Sequence, residues 1–348
     1  MSTSVINIEA GSSHFRHYLN LSLRTAFVIF IFAFTSLFFI EAGVDFENYR
    51  QFFDQVRTYD FIDIFSNRIE PLFGILTFFL VQLFTGDFFI YFFLLVLSIS
   101  LKAYIMSSSR QTGVIFTLLV GFYLFRYFPL YELTQIRVSL AIGLVMLAFQ
   151  LHGSRFKWIF FLLACLTHYS IVVLFPIMFP ADAAQRSSTK YITHERLIWL
   201  SILVSFTIIG LMFNTILQYI TPYLTVLQIY EVESFGEVSV SPFTATILLD
   251  IMGIISALVL QRHMSASTRF WIYIQVLGVL SFYSLIELPI MAFRIKELFG
   301  VFWIFYIRDA LEYRGVVRLH AVLFILSCMI AYFYFYFLGK SAIFPIHV

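Results

Sequence analysis

His168 is the residue whose position most clearly indicates proton chemistry. It lies in the middle of an apolar run, 156–179, with Thr167, Tyr169 and Ser170 beside it. An imidazole accepts and releases protons near neutral pH, so His168 is a candidate general base for a hydroxyl nucleophile. The alternative is a core histidine that is hydrogen-bonded to a neighbouring helix.

Arg137 is the corresponding candidate for holding an anionic group. It opens the apolar stretch 136–151, and an arginine within a span costs about 2.5–3.5 kcal/mol, so it should face a cavity or a partner. The alternatives are an arginine that reaches the membrane interface or one that pairs with Glu132. Ser139 and Gly143 supply a small-residue face that predicts close helix packing.

A second candidate anion contact follows Pro289. Arg294 and Lys296 lie there, and Arg binds phosphate through two nitrogens. Glu287 and Glu297 are close in sequence, so a local salt-bridged helix end is the alternative.

The segment 43–74 carries residue types that suit sugar binding. Asp45, Tyr49 and Glu70 offer carboxylates for hydroxyl groups and a ring for stacking. An acidic solvated loop is the commoner meaning of such a stretch. We also assign substrate-binding roles to three polar residues near Arg137: Glu132, Gln135 and Arg126.

The composition identifies the setting in which these residues act. Of the 348 residues, 61% are hydrophobic and only 12% are charged, and the mean hydropathy is +0.90. Typical soluble domains have about 45–50% apolar and about 25% charged residues, so the chain is a polytopic membrane protein. A net charge of +2 and the lack of a Gly-rich phosphate loop exclude nucleic-acid binding and P-loop chemistry. We expect no metal and no cofactor.

Eleven apolar segments predict an all-α bundle in one integral membrane domain spanning 1–348. Backbone groups in lipid must be satisfied internally, which favours helices. Segments 71–84 and 156–179 need not cross fully, so we expect about nine to eleven transmembrane or re-entrant helices. The eleven segments are 21–40, 71–84, 88–106, 114–128, 136–151, 156–179, 197–217, 243–260, 270–288, 297–307 and 319–338.

Charge in the connections predicts the topology. The connection 41–70 carries seven acidic residues against three arginines, and 218–242 carries three glutamates and no Lys or Arg, so both are expected outside. Eleven full crossings would also place Lys102 and Arg110 outside. The basic connections 180–196, 261–269 and 308–318 are expected inside, with the N-terminus inside and the C-terminus outside.

The order of these short motifs resembles the EpsG family of Wzy-like polysaccharide polymerases. A Gly-x-Asp-x-x-x-Tyr loop at 43–49 precedes Glu70-Pro71, which opens a helix. Gln-Ile-Arg at 135–137 then opens a span, Thr-His-Tyr-Ser follows at 167–170, and Phe-Arg-Ile comes late, at 293–295. Val138 stands where the family usually has Gln. The resemblance covers essentially the whole chain.

The resemblance implies a GT-C-like, metal-independent glycosyltransferase in the bacterial cytoplasmic (inner) membrane. It would join oligosaccharide repeat units on undecaprenyl diphosphate into a surface polysaccharide, on the periplasmic or outer face. Such products include O-antigen lipopolysaccharide, capsule and exopolysaccharide. His168 would be the base, and Arg137 and Arg294 would neutralise the diphosphate. The implied partners are the lipid-linked donor and acceptor, membrane lipids and a chain-length regulator, with no nucleic acid.

Two other functions fit the same residues. A membrane acyltransferase that decorates surface polysaccharide also uses His and basic groups. A flippase or transporter of lipid-linked sugars should show polar groups through the full depth of the bundle. Charges on one side of the membrane favour the polymerase.

Overall fold

The structure is a computed structural model that describes residues 3–43, 45–66, 70–108, 113–151, 153–179, 243–286 and 289–338. Helices are the only regular structure among these residues, which confirms the all-α prediction. The first eight are α1 (Thr3–Phe39), α2 (Phe46–Arg57), α3 (Asp63–Ser66), α4 (Pro71–Leu83), α5 (Asp87–Ser107), α6 (Gly113–Arg126), α7 (Ile136–Gln150) and α8 (Phe156–Thr167). The later five are α9 (Ala245–Leu260), α10 (Ala266–Ser284), α11 (Pro289–Gly300), α12 (Trp303–Ala310) and α13 (Val316–Phe333).

Helix length separates candidate membrane spans from shorter apolar segments. Within the described ranges, four helices are long and apolar enough to cross a membrane: Leu19–Ala42, Asp87–Ser107, Ala245–His263 and Val316–Tyr336. Five more apolar helices are shorter: Pro71–Leu83, Gly113–Arg126, Ile136–Gln150, Phe156–Thr167 and Tyr169–Phe179. The chain is therefore a helical membrane protein, and the GT-C-like arrangement remains a prediction.

The apolar run 156–179 is divided at His168. Helix α8 ends at Thr167, His168 adopts an extended backbone, and a 3₁₀ helix follows over Tyr169–Leu174. The run therefore consists of two shorter helical segments that meet at His168. The expected segment 297–307 was wrong, because a turn at 301–302 separates α11 from α12. Helix α11 begins at Pro289, since proline suits a first helical turn whose N–H has no partner within the helix.

The backbone forms two compact units, Met1–Tyr169 with Phe335–Val348, and Ser170–Tyr334. In the first unit, α5 packs against α1 and α7, α7 packs against α8, and α4 lies against α2 and α8. In the second unit, α9 packs against α10 and α13, and α10 packs against α11 and α12. The expected segment 197–217 and the connections 180–196 and 218–242 lie outside the described residues.

The close packing predicted for the small-residue face of α7 is confirmed. The Ser139 hydroxyl lies 2.9 Å from that of Ser98 on α5. A Cβ atom on Gly143 would lie 3.1 Å from side-chain atoms of Leu101. Helices α5 and α7 thus approach closely along the turns that follow Arg137.

Helix α2 is amphipathic and packs against α4. Tyr49, Phe53 and Val56 are buried at a helical spacing, whereas Gln51, Asp54 and Gln55 are exposed. At its far end, Arg57 Nη2 lies 2.6 Å from Asp87 Oδ1 at the start of α5. The buried face therefore fixes the direction in which Tyr49 points.

Gly43 allows a close backbone approach ahead of α2. A Cβ atom at this position would collide with the carbonyl oxygen of Leu133, which lies just before α7. We expect Gly43→Ala to force these segments apart and to destabilise the protein by about 1–3 kcal/mol, as overpacking does. A lower thermal unfolding temperature in detergent would show this.

The matched control for this substitution is Gly113→Ala. A Cβ atom there would meet no atom within 4 Å. Its unfolding temperature should equal or exceed that of the parent protein. Equal stability of both alanine variants would contradict the steric role of Gly43.

Candidate active site

Hydrogen bonds link four residues of the first unit, Tyr49, Glu70, Arg137 and His168, and Glu70 joins Arg137 to His168. The Nη1 atom of Arg137 donates to Glu70 Oε2 at 2.9 Å. The Nδ1 atom of His168 lies 2.9 Å from Glu70 Oε1. The backbone N–H of Arg137 donates to the Tyr49 hydroxyl over 3.4 Å.

Helix ends position three of these four residues. Glu70 precedes Pro71, which begins α4, and its extended backbone directs the chain into the helix. Arg137 is the second residue of α7, and His168 caps the end of α8. Because α4 and α7 both pack against α8, the three ends are brought together.

Glu70 is charged at neutral pH in this setting. Burial alone would raise its pKa, but the hydrogen bond from His168 and the positive charge of Arg137 outweigh burial and hold the pKa below its usual value. Its side chain is only 9% exposed. The carboxylate is therefore a fixed internal anion with both oxygens engaged.

The bond to Glu70 determines how the His168 ring presents its nitrogens. A charged carboxylate only accepts hydrogen bonds, so Nδ1 must carry the proton that it donates. The other nitrogen, Nε2, is then the one that accepts a proton in the neutral ring. A carboxylate that fixes the ring in this way is the arrangement used to orient a general base.

Tyr49 links the site to an aromatic cluster. Burial raises the pKa of its hydroxyl, against the lowering effect of Arg137, so the phenol stays protonated. Its ring contacts Phe53, Phe73 and Tyr91, with centroid distances of 5.5–6.3 Å. The Arg137 guanidinium lies 5.9 Å from the Phe73 ring centroid.

Exposure distinguishes the residues of the site that can reach a substrate. The Arg137 side chain is 41% exposed and that of His168 is 16% exposed, against 9% for Glu70. The neighbouring Tyr169 is also exposed. A bound molecule can thus meet a guanidinium and an imidazole side by side, while the carboxylate between them stays covered.

The sequence matches the EpsG family over residues 22–346, nearly the whole chain. The chain belongs to the EpsG family. This is a family of Wzy-like polymerases, and membership indicates a membrane polysaccharide polymerase with glycosyltransferase-like chemistry. No curated protein and no solved structure matches the chain.

In this EpsG-family protein, Arg137 pairs with Glu70 and not with Glu132. Glu132 is fully buried, and its Oε1 atom lies 2.5 Å from Lys102 Nζ. The expected local pairing was wrong because Glu132 belongs to a π-helical turn, Phe128–Glu132, that turns its side chain toward α5. Lys102 itself lies within α5, as the predicted segment 88–106 places it, and its side chain is buried.

The other proposed substrate-binding residues lie at varied depths. Asp45 caps the start of α2, where its Oδ1 atom accepts from Asn48 Nδ2 at 3.3 Å. Gln135 is half-buried directly before α7. Arg126 is buried, with its guanidinium 5.2 Å from the Tyr127 ring centroid. Burial of Glu132 and Arg126 argues against direct contact with a substrate in this conformation.

The second expected anion contact belongs to the other unit. Arg294 is exposed on α11. Lys296 is buried and lies 2.6 Å from Asp250 Oδ2 and 2.7 Å from Glu297 Oε1. The salt-bridged alternative thus describes Lys296, while Glu287 lies outside the described residues.

The sequence analysis did not identify Lys102 and Asp250 as buried ionisable residues that each bind several polar partners. Asp250 accepts a hydrogen bond from Trp303 Nε1 at 3.1 Å, in addition to its pairing with Lys296. Each lies inside an apolar helix that is long enough to span a membrane. Charged residues at such positions are expensive and carry partners, which is the sequence feature that could have found them.

Proposed function

We propose that this protein polymerises oligosaccharide repeat units carried on undecaprenyl diphosphate, on the extracytoplasmic face of the bacterial cytoplasmic membrane. The convergence of Arg137, Glu70 and His168 is the observation that supports this reaction best. It combines an accessible cation for a diphosphate with an oriented base for a hydroxyl group. Polymerisation of lipid-linked repeats requires both.

The reaction transfers the growing chain from its lipid carrier to a new repeat unit. A hydroxyl oxygen of the acceptor sugar forms a bond to the anomeric carbon of the donor. The bond between that carbon and the diphosphate oxygen breaks, and undecaprenyl diphosphate leaves with the bonding electrons. The hydroxyl proton passes to His168 Nε2.

Each residue of the site has a distinct task in this scheme. Arg137 balances the charge that develops on the leaving diphosphate, where a fixed positive group has its greatest effect. His168 removes the proton of a poor nucleophile, which typically contributes about 10²–10⁴-fold. Glu70 holds the imidazole in the required tautomer, so we assign it an orienting role in place of the sugar contact expected from its sequence context.

Asp45 and Gln135 remain candidates for binding sugar hydroxyl groups, and Tyr49 holds the backbone of Arg137. Arg294 is a further candidate for the diphosphate. Diphosphate is already a good leaving group, so the scheme needs no nucleotide. The acceptor and the donor both reach the site while their prenyl chains stay in the membrane, where apolar helices accommodate those chains.

Purified protein in lipid nanodiscs, supplied with lipid-linked repeat units, provides the test. A ladder of products that grow by whole repeat units supports the proposal. Transfer of an acyl group without growth would indicate an acyltransferase. Movement of intact lipid-linked units across a sealed vesicle, without growth, would indicate a flippase, and either of these results would overturn the proposal.

The proposed side of the membrane gives a separate prediction. In a variant with Cys165 and Cys328 replaced by Ser, Gln51→Cys should react with a membrane-impermeant maleimide added to intact cells. Ser187→Cys should react only after the membrane is opened. The acidic connection 41–70 and the basic connection 180–196 are the reason. Labelling of the Ser187→Cys variant in intact cells would show that the predicted topology is wrong.

Glu70→Gln should lower turnover by about 10²–10⁴-fold while the protein accumulates normally. The new amide can donate to Nδ1 and so favours the wrong tautomer of His168. Because the pKa of Glu70 is lowered, its charge is present at all pH values above the ordinary carboxyl range and is lost only as pH falls through the folded value.

The Glu70→Gln variant should therefore stay slower than the parent throughout the range from about pH 6 to about pH 9, which rate profiles of both proteins would measure. Glu47→Gln is the matched control, since Glu47 is an exposed carboxylate that pairs with Arg50. Recovery of the Glu70→Gln variant within this pH range would show that Glu70 does not act as a permanent anion.

A further inference from the structure

A fully buried polar cluster lies beside the candidate site, in the core of the first unit. Lys102 Nζ on α5 lies 2.5 Å from Glu132 Oε1 and donates to Ser98 Oγ at 2.9 Å. It also donates to Ser139 Oγ on α7. The Tyr123 hydroxyl donates to Glu132 Oε1 at 2.6 Å. None of the proposed chemical steps uses this cluster.

Stability alone does not account for such a pair. Two charges inside an apolar core lose their hydration, and an ion pair often recovers no more than that loss. The second carboxylate oxygen of Glu132, Oε2, has no hydrogen-bond partner among the described residues. Apolar pairs of similar volume often stabilise a core as well as a buried ion pair does.

The cluster instead fixes the two ends of the segment that carries Arg137. Glu132 is the last residue of the π-helical turn, and Ser139 lies in the first turn of α7. Arg137 is between them, and Lys102 is bonded to both. Turns of π-helix occur frequently at functional sites.

A second set of contacts reaches the same segment through Tyr91 on α5 and Tyr49 on α2. The Tyr91 hydroxyl donates to the backbone carbonyl of Glu132 at 3.1 Å. The Tyr91 ring packs on Tyr49 with a centroid distance of 5.5 Å, and the Tyr49 hydroxyl accepts from the Arg137 backbone. The segment from Glu132 to Ser139 is therefore held at its start, its middle and its end.

We propose that Lys102 and Glu132 form a positioning pair that sets the direction in which Arg137 presents its guanidinium to the diphosphate. The inference rests on the proposed function of Arg137. Neither residue of the pair touches the substrate. A displacement of about 1 Å at a reacting group can cost about 10²-fold in rate, so the position in which the pair holds Arg137 strongly affects turnover.

The decisive variant removes both charges together. Lys102→Met alone leaves a buried carboxylate without its partner and is expected to accumulate poorly. Lys102→Met with Glu132→Gln leaves no unpaired charge and keeps an acceptor for Tyr123, so it should accumulate and unfold like the parent. Its kcat should fall by about 10–100-fold, with a smaller change in KM.

The matched control is Ser100→Ala on the same helix. Ser100 Oγ donates to the Val96 carbonyl of its own helix, at 2.7 Å. Its kcat should stay within about twofold of the parent value. In an Arg137→Lys background the double variant should cost less than in the parent, because residues that act through one group are not additive.

A measurement that does not depend on turnover follows the backbone itself. Val138→Cys, in a variant with Cys165 and Cys328 replaced by Ser, reports the orientation of the first turn of α7. Its reaction rate with a small methanethiosulfonate reagent should change severalfold when both charges of the pair are removed. The Ser100→Ala substitution should leave this rate unchanged.

These results separate the two proposals. Normal kcat and an unchanged labelling rate in the folded double variant would overturn the positioning pair and leave the polymerase proposal intact. Full activity of Arg137→Ala would overturn the role of Arg137, whereas a changed labelling rate would still show that the pair controls this segment.

Discussion

His168→Asn and His168→Gln should both lose polymerisation almost completely and should still bind the lipid-linked repeat unit. The Asn amide can occupy the position of Nδ1 and keep the bond to Glu70. The Gln amide reaches the position of Nε2. Neither amide is basic, so each substitution removes proton transfer while it keeps the hydrogen bond of one ring nitrogen. We expect turnover to fall by about 10²–10⁴-fold.

The measurement is the rate of repeat-unit addition at equal amounts of folded protein, with binding of the repeat unit measured separately. His263→Asn is the control, because His263 is exposed in the 3₁₀ turn after α9. A nearly normal rate in both His168 variants would return this residue to the structural alternative, that of a histidine that only holds Glu70. Charge stabilisation by arginine would then be the main catalytic effect.

Arg137→Ala should abolish polymer formation although the protein still inserts into the membrane. The substitution removes the accessible positive charge and one of the two groups that hold Glu70. Arg137→Lys should restore part of the activity, because a lysine supplies charge but not the planar pair of donors that matches a phosphate group. The expected order of rates is Arg, then Lys, then Ala.

Arg50→Ala provides the comparison for this series. Arg50 is an exposed arginine on α2 that pairs with Glu47 at 3.3 Å. Its removal should change the rate by no more than about twofold, since exposed ion pairs contribute little. The effects of the Arg50 and Arg137 substitutions are measured as product length on gels and as affinity for undecaprenyl diphosphate. An alanine variant of Arg137 that makes polymer at the parent rate would refute its role.

Most of the helices were predictable because they follow from runs of apolar residues. Helices α2 and α3 were not, since they lie in the acidic connection 41–70, whose start at 43–49 was interpreted as a loop. The break at His168 was also foreseeable, since polar residues interrupt a run of 24 at its middle. The prediction of one helix over 297–307 was wrong for a related reason. Apolar content continues across the turn at 301–302, so composition alone could not locate the end of α11.

The candidate site was predictable as residues but not as an arrangement. Tyr49, Glu70, Arg137 and His168 each stood out by type and position. Glu70 is 67 residues from Arg137 and 98 from His168, however, and no local pattern specifies such a pairing. Sequence proximity favoured Glu132 for Arg137, and only the π-helical turn before α7 shows why that carboxylate faces Lys102 instead.

The shortness of α4, α7 and α8 has a consequence for the surrounding lipid. These helices have 13, 15 and 12 residues, and so are about 18–22 Å long, against about 30 Å for the hydrocarbon core of a bilayer. We therefore expect their meeting ends to lie below the headgroup level or to thin the bilayer around them. Acyl-chain length then becomes a variable of the reaction, because a thicker bilayer would move the carrier's diphosphate away from Arg137.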